Sequence, residues 1–198
     1  EVHLGLRRDV GRAELAELVA SQDSERMLAL MHRVDVTSGD VVYVPPGVLH
    51  AIGSGVLLVE LQEPEDLSIL LEWRDFDLDG ARDGHLGLGF DVALSAVERR
   101  GREAHEIAEL ARPAGFGSSV LPAQADSYFR LERVRVEEAA ALRPGFAVIV
   151  VTDGTVQLLG ERTLDLARGS TTVAPHGAGV LLLRGSGEVL VCRPPAAH

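Results

Sequence analysis

Gly39, Pro45, Gly47 and His50 form a spacing that delivers one imidazole beside a rigid turn. Residues 41–44 are a short apolar run rich in valine, suited to a buried strand. Pro45-Pro46-Gly47 cannot continue a strand ladder and forces a turn. Val48, Leu49, Ala51 and Ile52 then resume the apolar pattern around His50. A histidine fixed beside such a turn, at the start of a strand entering a barrel, is placed to ligate a metal. The other reading is a core histidine satisfied by a backbone carbonyl, and His50 alone leaves both open.

The spacing Gly-x5-Pro-x-Gly-x2-His should arise by chance in about three per thousand chains of this composition. Its first part recurs at Gly169, Pro175 and Gly177, 130 residues later. That partial match carries weight only as an internal repeat. Val180 holds the histidine position in the second copy, so the architecture repeats and the ligand does not.

Glu60 is the next chemical candidate. Residues 56–62 read as a strand in which Glu60 shares a face with Val56, Leu58 and Gln62. A carboxylate there must face solvent or line a polar cavity, because burying it unpaired is expensive. His32, His85, His105, His176 and His198 fall in helical, loop or turn contexts and read as solvated. Arg7-Arg8, Arg99-Arg100-Gly101-Arg102 and the Arg130/Arg133/Arg135 cluster read as solvated faces balancing many acids.

The elements that must position these residues point to a mostly β chain. Arg12–Ser21 and Asp23–His32 read as helices, with Asp23 or Ser24 capping the second. Further strands are expected at 56–62 and 67–73, a polar loop at 75–84 and a helix at 90–97. Residues 98–127 lose clear periodicity and carry Pro113, Gly115, Gly117 and Pro122, which reads as a linker holding a short helix near 104–110. Short strands then follow at 129–136, 146–152, 156–159, 171–174, 180–183 and 189–192, with Asp153-Gly154 as a hairpin turn. The organisation expected is 1–97, a linker at 98–127, and 128–198.

Composition narrows the function. The chain has 198 residues, 46% of them hydrophobic, enough for a real core. A formal charge of −11 argues against nucleic acid or an acidic membrane as partner. All 19 basic residues are arginine, so no lysine is present to hold a phosphate or form a Schiff base. The single cysteine, Cys192, excludes an internal disulfide and a Cys-rich zinc site. No stretch has the length of a membrane span and no signal peptide is visible, so the chain reads as cytoplasmic. It lacks an initiator Met, and Glu1-Val2-His3-Leu4 reads as a strand already under way, the start of a C-terminal fragment.

The motif at Gly39–His50 is similar to the second sequence motif of the cupin superfamily. More closely, residues 39–66 resemble the class I mannose-6-phosphate isomerases, zinc-dependent enzymes built from two cupin barrels. In that family the segment reads as a Gly-Asp strand, Pro-x-Gly, His-Ala-(Ile/Tyr)-Gly and a Glu-x-Gln strand, matched here through His50-Ala51-Ile52-Gly53 and Glu60-Leu61-Gln62. Weaker similarity runs through 85–97, 128–134 and 144–151.

This resemblance implies two cupin-type barrels, the first truncated at its N-terminus, with a few short helices. It implies that His50 is one of four zinc ligands, the other three lying upstream of residue 1. Glu1 and His3 match a strand past those ligands and are not expected to replace them. A single imidazole cannot hold zinc, which needs at least three protein ligands and a water. Glu60 and Asp66 match acidic residues of the isomerase pocket, where a carboxylate moves the proton between C1 and C2 of an open-chain sugar. The family places an arginine where Leu70 stands here; Arg74, four residues on, either substitutes for it toward phosphate or enediolate charge or snorkels at the barrel rim.

The function expected is therefore the C-terminal part of an isomerase interconverting mannose 6-phosphate and fructose 6-phosphate, with Zn2+ as cofactor and a phosphorylated hexose as substrate. Leu70 and Val180 favour a rival, a non-catalytic or regulatory cupin that binds a sugar or sugar phosphate. A cupin with another metal-dependent activity is a third reading, and it would need a second His or Glu from elsewhere.

Overall fold

The computed structural model describes residues 1–63 and 68–195. The chain divides into two compact units, Glu1–Arg112 and Pro113–His198. The first runs β1 (Val2–Leu6), α1 (Arg12–Ser21), α2 (Ser24–Ala29), β2 (Met31–Val34), β3 (Asp40–Val42), β4 (His50–Ile52), α3 (Gly80–Asp83), α4 (Phe90–Ala93), α5 (Ala104–Leu110) and β5 (Ala111–Pro113). β1 is the central strand of an antiparallel sheet, flanked by β2 and β4, while β3 pairs with β5.

The apolar stripe of α1 explains its place: Leu15 and Val19 pack with Leu6, Val10, Met31 and Leu94 in one buried cluster. α1 ends at Gln22 in the left-handed region, φ 52°, a conformation glutamine rarely adopts. The Gln22 side chain compensates by donating to the Val19 and Leu71 carbonyls and accepting from the Trp73 amide at 2.7 Å. Asp23 caps α2 as its position suggests, accepting from the Arg26 amide. The second helix is shorter than its pattern implies. Met31 and His32 leave it to pair with β1, because their strand partners, Leu6 and Leu4, are nearly inaccessible.

The expected strand at 56–62 does not form. Residues 56–62 have no regular structure, and Leu57 is 92% exposed. An apolar run favours a strand only when a partner edge exists. None of the described residues pairs with this run. Residues 68–73, the described part of the other expected strand, are likewise irregular.

The second unit is a six-stranded antiparallel assembly: β6 (Arg130–Val136), β7 (Ala139–Leu142), β8 (Ala147–Leu159), β9 (Thr163–Ala167), β10 (Thr171–Ala174) and β11 (Leu181–Arg193). Its core holds Ile149, Val151, Val156, Leu183, Val189 and Val191, alternating along β8 and β11. The hairpin expected at Asp153-Gly154 is instead the midpoint of the 13-residue β8. Likewise 180–183 and 189–192 are parts of one 13-residue strand, β11. Both strands bend together where Gly154 lies against Gly187, beside a register shift at Glu188/Val189. The first half of β8 pairs with β10 and its second half with β9, so each long strand serves two faces.

The arginine cluster of β6 is not simply solvated. Arg133 forms a two-pronged pair with Glu188 on β11, at 2.9 Å from both Nε and Nη2. Arg133 and Arg135 also stack on the Phe116 ring, at 4.7 and 4.1 Å from its centroid. Glu188 titrates below the usual carboxylate range. Burial pushes it up, but the hydrogen bonds from Arg133 and Thr152 outweigh that.

Candidate metal-ligand site at His50

The turn preceding His50 is built as the Pro/Gly spacing requires. The Val48 amide donates to the Pro45 carbonyl at 3.1 Å, and the Glu98 amide donates to the Gly47 carbonyl at 2.9 Å. Gly47 has φ +81°, and a Cβ there would sit 2.5 Å from the Ala96 carbonyl oxygen. Only glycine satisfies both constraints. Val48 is buried at 4% exposure, anchoring the turn from below. Gly5 donates to the Leu49 carbonyl at 2.8 Å, and His50 then pairs with Leu4 across β4 and β1.

Directly paired residues of antiparallel strands project to the same face. Leu4 is paired with His50 on one side and His32 on the other, so both imidazoles flank a leucine with no exposed surface. His3 pairs with Arg33 and Ala51 and belongs to the opposite face, which separates it from His50. The two flanking rings use different atoms. His32 Nε2 lies 2.7 Å from the Arg102 carbonyl, while His50 Nδ1 lies 3.2 Å from the Val48 carbonyl. His50 is exposed and so is not a core histidine, although one ring nitrogen faces a backbone carbonyl.

The other candidates are dispersed. Glu60 is exposed on the irregular segment and accepts from Gln62 Nε2 at 3.1 Å. Asp66 lies outside the described residues, as does His198. Leu70 is 39% exposed. The Arg74 guanidinium donates to the Gln22 carbonyl at the C-terminus of α1, where the helix dipole favours a cation. His105 and His176 are exposed, as expected, whereas His85 packs edge-on against Phe90 and its Nδ1 is buried without a hydrogen-bond partner.

Among the described residues no group of three or more His, Cys, Asp or Glu is placed to hold a metal ion. In His50 one ring nitrogen faces a backbone carbonyl, and a single imidazole is one donor at most. The rest of a tetrahedral set is not supplied by these residues. A recess of about 400 Å³ opens beside His3, Arg7, His32 and Arg33, and His50 does not line it. Sequence reasoning missed Glu98, whose amide holds the Gly47 carbonyl of the turn before His50. It also missed Gln22, which ties the end of α1 to residues 71–74.

No family model matches the chain. Among curated proteins it is 29% identical over 169 residues to mannose-6-phosphate isomerase ManA of Bacillus subtilis, covering 82% of this chain and 51% of the relative. It is 34% identical over 68 residues to mannose-6-phosphate isomerase of Streptococcus mutans, covering 34% of this chain and 19% of the relative. The chain spans about half the length of the relatives it matches most fully. Among solved structures, mannose 6-phosphate isomerase from Bacillus subtilis superposes with TM-score 0.67 at 21% identity, over 97% of this chain and 60% of that one. An Archaeoglobus fulgidus chain provisionally named a mannosephosphate isomerase gives TM-score 0.69 at 18% identity, over 98% of this chain and 57% of that one. The resemblance read from residues 39–66 therefore extends over most of the sequence, and the fold is mostly β and cupin-type.

Proposed function

We propose that this chain is the C-terminal part of a zinc-dependent aldose–ketose isomerase that interconverts mannose 6-phosphate and fructose 6-phosphate in the cytoplasm. The observation that carries the reading is His50. It stands on β4 after a turn that only glycine can make, exposed, and inside the segment that most resembles the isomerases. Relatives twice as long, together with exposed Ile52, Leu57, Leu58 and Val59, support further chain completing the first barrel.

In this reading His50 contributes one metal ligand and residues outside this chain contribute the others. Zinc, when bound, supplies polarisation of the sugar carbonyl and of the charge that develops on it. Glu60, with Asp66 nearby in sequence, is the carboxylate that removes the proton from C2 and returns it at C1. His50 cannot also be that base, because a metal-bound imidazole nitrogen has no free lone pair. Arg74 is the cation for the phosphate or the enediolate once it leaves the Gln22 carbonyl.

One observation favours a second reading, a sugar-phosphate-binding cupin without turnover. Leu70 replaces the expected arginine, and Arg74 is already engaged at the end of α1. The test is a coupled assay for fructose 6-phosphate on the full-length protein, with and without chelator. Chelator-sensitive turnover that disappears in His50→Ala supports the isomerase. Mannose 6-phosphate binding without turnover supports the second reading.

A further inference from the structure

We propose that Glu98 and Arg102 are positioning residues for His50: their ion pair fastens residues 96–102 to the turn and to β1 together, and so fixes where the imidazole stands. Arg102 Nε and Nη2 donate to the two oxygens of Glu98 at 2.7 and 2.9 Å, a forked geometry that sets direction as well as strength. The run containing Arg102 reads as solvated in the sequence, yet this side chain is only 13% exposed. At that depth the pair is screened far less than a surface one.

Each partner is also tied down by its backbone. The Glu98 amide donates to the Gly47 carbonyl at 2.9 Å, three residues before His50. The Arg102 amide donates to the Leu6 carbonyl at 2.7 Å, and the Arg102 carbonyl faces His32 Nε2 at 2.7 Å. The Arg102 stem lies along Gly5, where a Cβ would come within 3.0 Å of Arg102 Cδ. The Gly5 amide in turn donates to the Leu49 carbonyl, next to His50. The ion pair therefore closes a loop of contacts that runs from the turn through Glu98 and Arg102 to β1 and returns at Leu49. β4 is three residues long and His50 is its first, so the strand ladder alone holds His50 only from one side.

Arg100 supplies an internal comparison. It makes a forked pair with Glu106 at 2.7 and 3.1 Å, but that pair is more exposed and closes only the start of α5. Losing it weakens the same unit without touching the turn. The positioning stands on contacts within this chain, and its use in metal binding rests on the isomerase reading.

The test is NMR of the isotope-labelled 198-residue chain. It reads the His50 Cε1–Hε1 cross-peak, assigned with His50→Gln, together with amide exchange at residues 5 and 98. Glu98→Gln and Arg102→Met should move or broaden the His50 peak and speed exchange at both amides about tenfold, the loss of one charge-assisted hydrogen bond. His105 and His176 should stay where they were. Arg102→Lys, which keeps the charge but not the fork, should fall between wild type and Arg102→Met. Arg100→Met should leave the His50 peak and both amides unchanged. Glu98→Gln keeps the backbone contacts and nearly the same shape, so it carries the test even if Arg102→Met fails to fold. A His50 peak and amide exchange that ignore Glu98→Gln overturn the proposal, and so does an equal response to Arg100→Met. A wild-type full-length protein without turnover would remove the isomerase reading instead, and the spectra would still decide the positioning.

Discussion

Glu132 and Arg193 form an ion pair inside the second unit, with Arg193 Nε donating to the carboxylate at 2.8 Å and both residues only 6% exposed. Arg143 donates to the same oxygen at 3.1 Å. Arg193 reaches on to the Arg143 carbonyl at 2.9 Å. The pair therefore ties β6 and β11 to the connection between β7 and β8.

Glu132→Leu leaves the buried Arg193 guanidinium without its carboxylate, at a cost of about 3–5 kcal/mol, and should lower the urea midpoint of the second unit accordingly. Arg193→Met should cost less, because Glu132 keeps its hydrogen bond from Arg143. The double variant should lose much less than the sum, because no orphan charge remains. Additive losses would show that the two groups do not depend on each other.

The bend shared by β8 and β11 yields a second prediction. A Cβ on Gly154 would lie 2.2 Å from the Ser186 carbonyl oxygen, and one on Gly187 would lie 2.4 Å from that of Asp153. Gly154→Ala also forces alanine to φ +73°, and strain of this kind costs about 1–3 kcal/mol. Gly177→Ala, where a Cβ meets nothing within 4 Å, should be nearly neutral. Thermal unfolding of the three variants separates close packing from the general effect of losing a glycine.

These glycines also show what the sequence could and could not reveal. The short apolar runs at 147–151 and 189–191 marked core strands, and the α1 stripe marked a helix, because burial demands apolar side chains at those positions. Asp153-Gly154 has the composition of a hairpin turn, yet its glycine is there for close approach to another strand, and composition does not distinguish the two. The strand expected around Glu60 failed for a different reason. Strand formation depends on an edge to pair with, and that information does not reside in residues 56–62. His50 was legible because a turn of fixed chemistry sits at fixed spacing from it. The hydrogen bonds of Glu98 to Gly47 and of Arg102 to His32 join residues far apart in the chain and leave no local signature.

Metal affinity should follow ligand count. The 198-residue chain offers zinc one exposed imidazole at β4, so calorimetric titration should give weak binding without a stoichiometric endpoint. His50→Gln should barely change that trace. Submicromolar, stoichiometric binding by the short chain would mean that its own residues complete a site.

Glu106 provides a pH-dependent prediction in the first unit. The Arg100 guanidinium, first, and the Glu103 amide, second, hold its carboxylate down to about 2. Arg100 donates to it at 2.7 and 3.1 Å and the Glu103 amide at 2.7 Å, closing the capping box of α5. A folded-state value below the ordinary 4.5 means that Glu106 binds its proton less readily folded than unfolded. Its stabilising contribution is therefore complete above about 4.5 and is lost as pH falls toward 2. The group is exposed, so the effect on global stability is small and the site itself is the better reporter. Following the Glu106 carboxyl carbon by NMR through acid titration should give a midpoint well below those of other exposed glutamates. Arg100→Ala should bring it most of the way back, and only the Glu103 amide would then hold it low. A midpoint that ignores Arg100→Ala would mean that the amide alone sets the titration of this helix start.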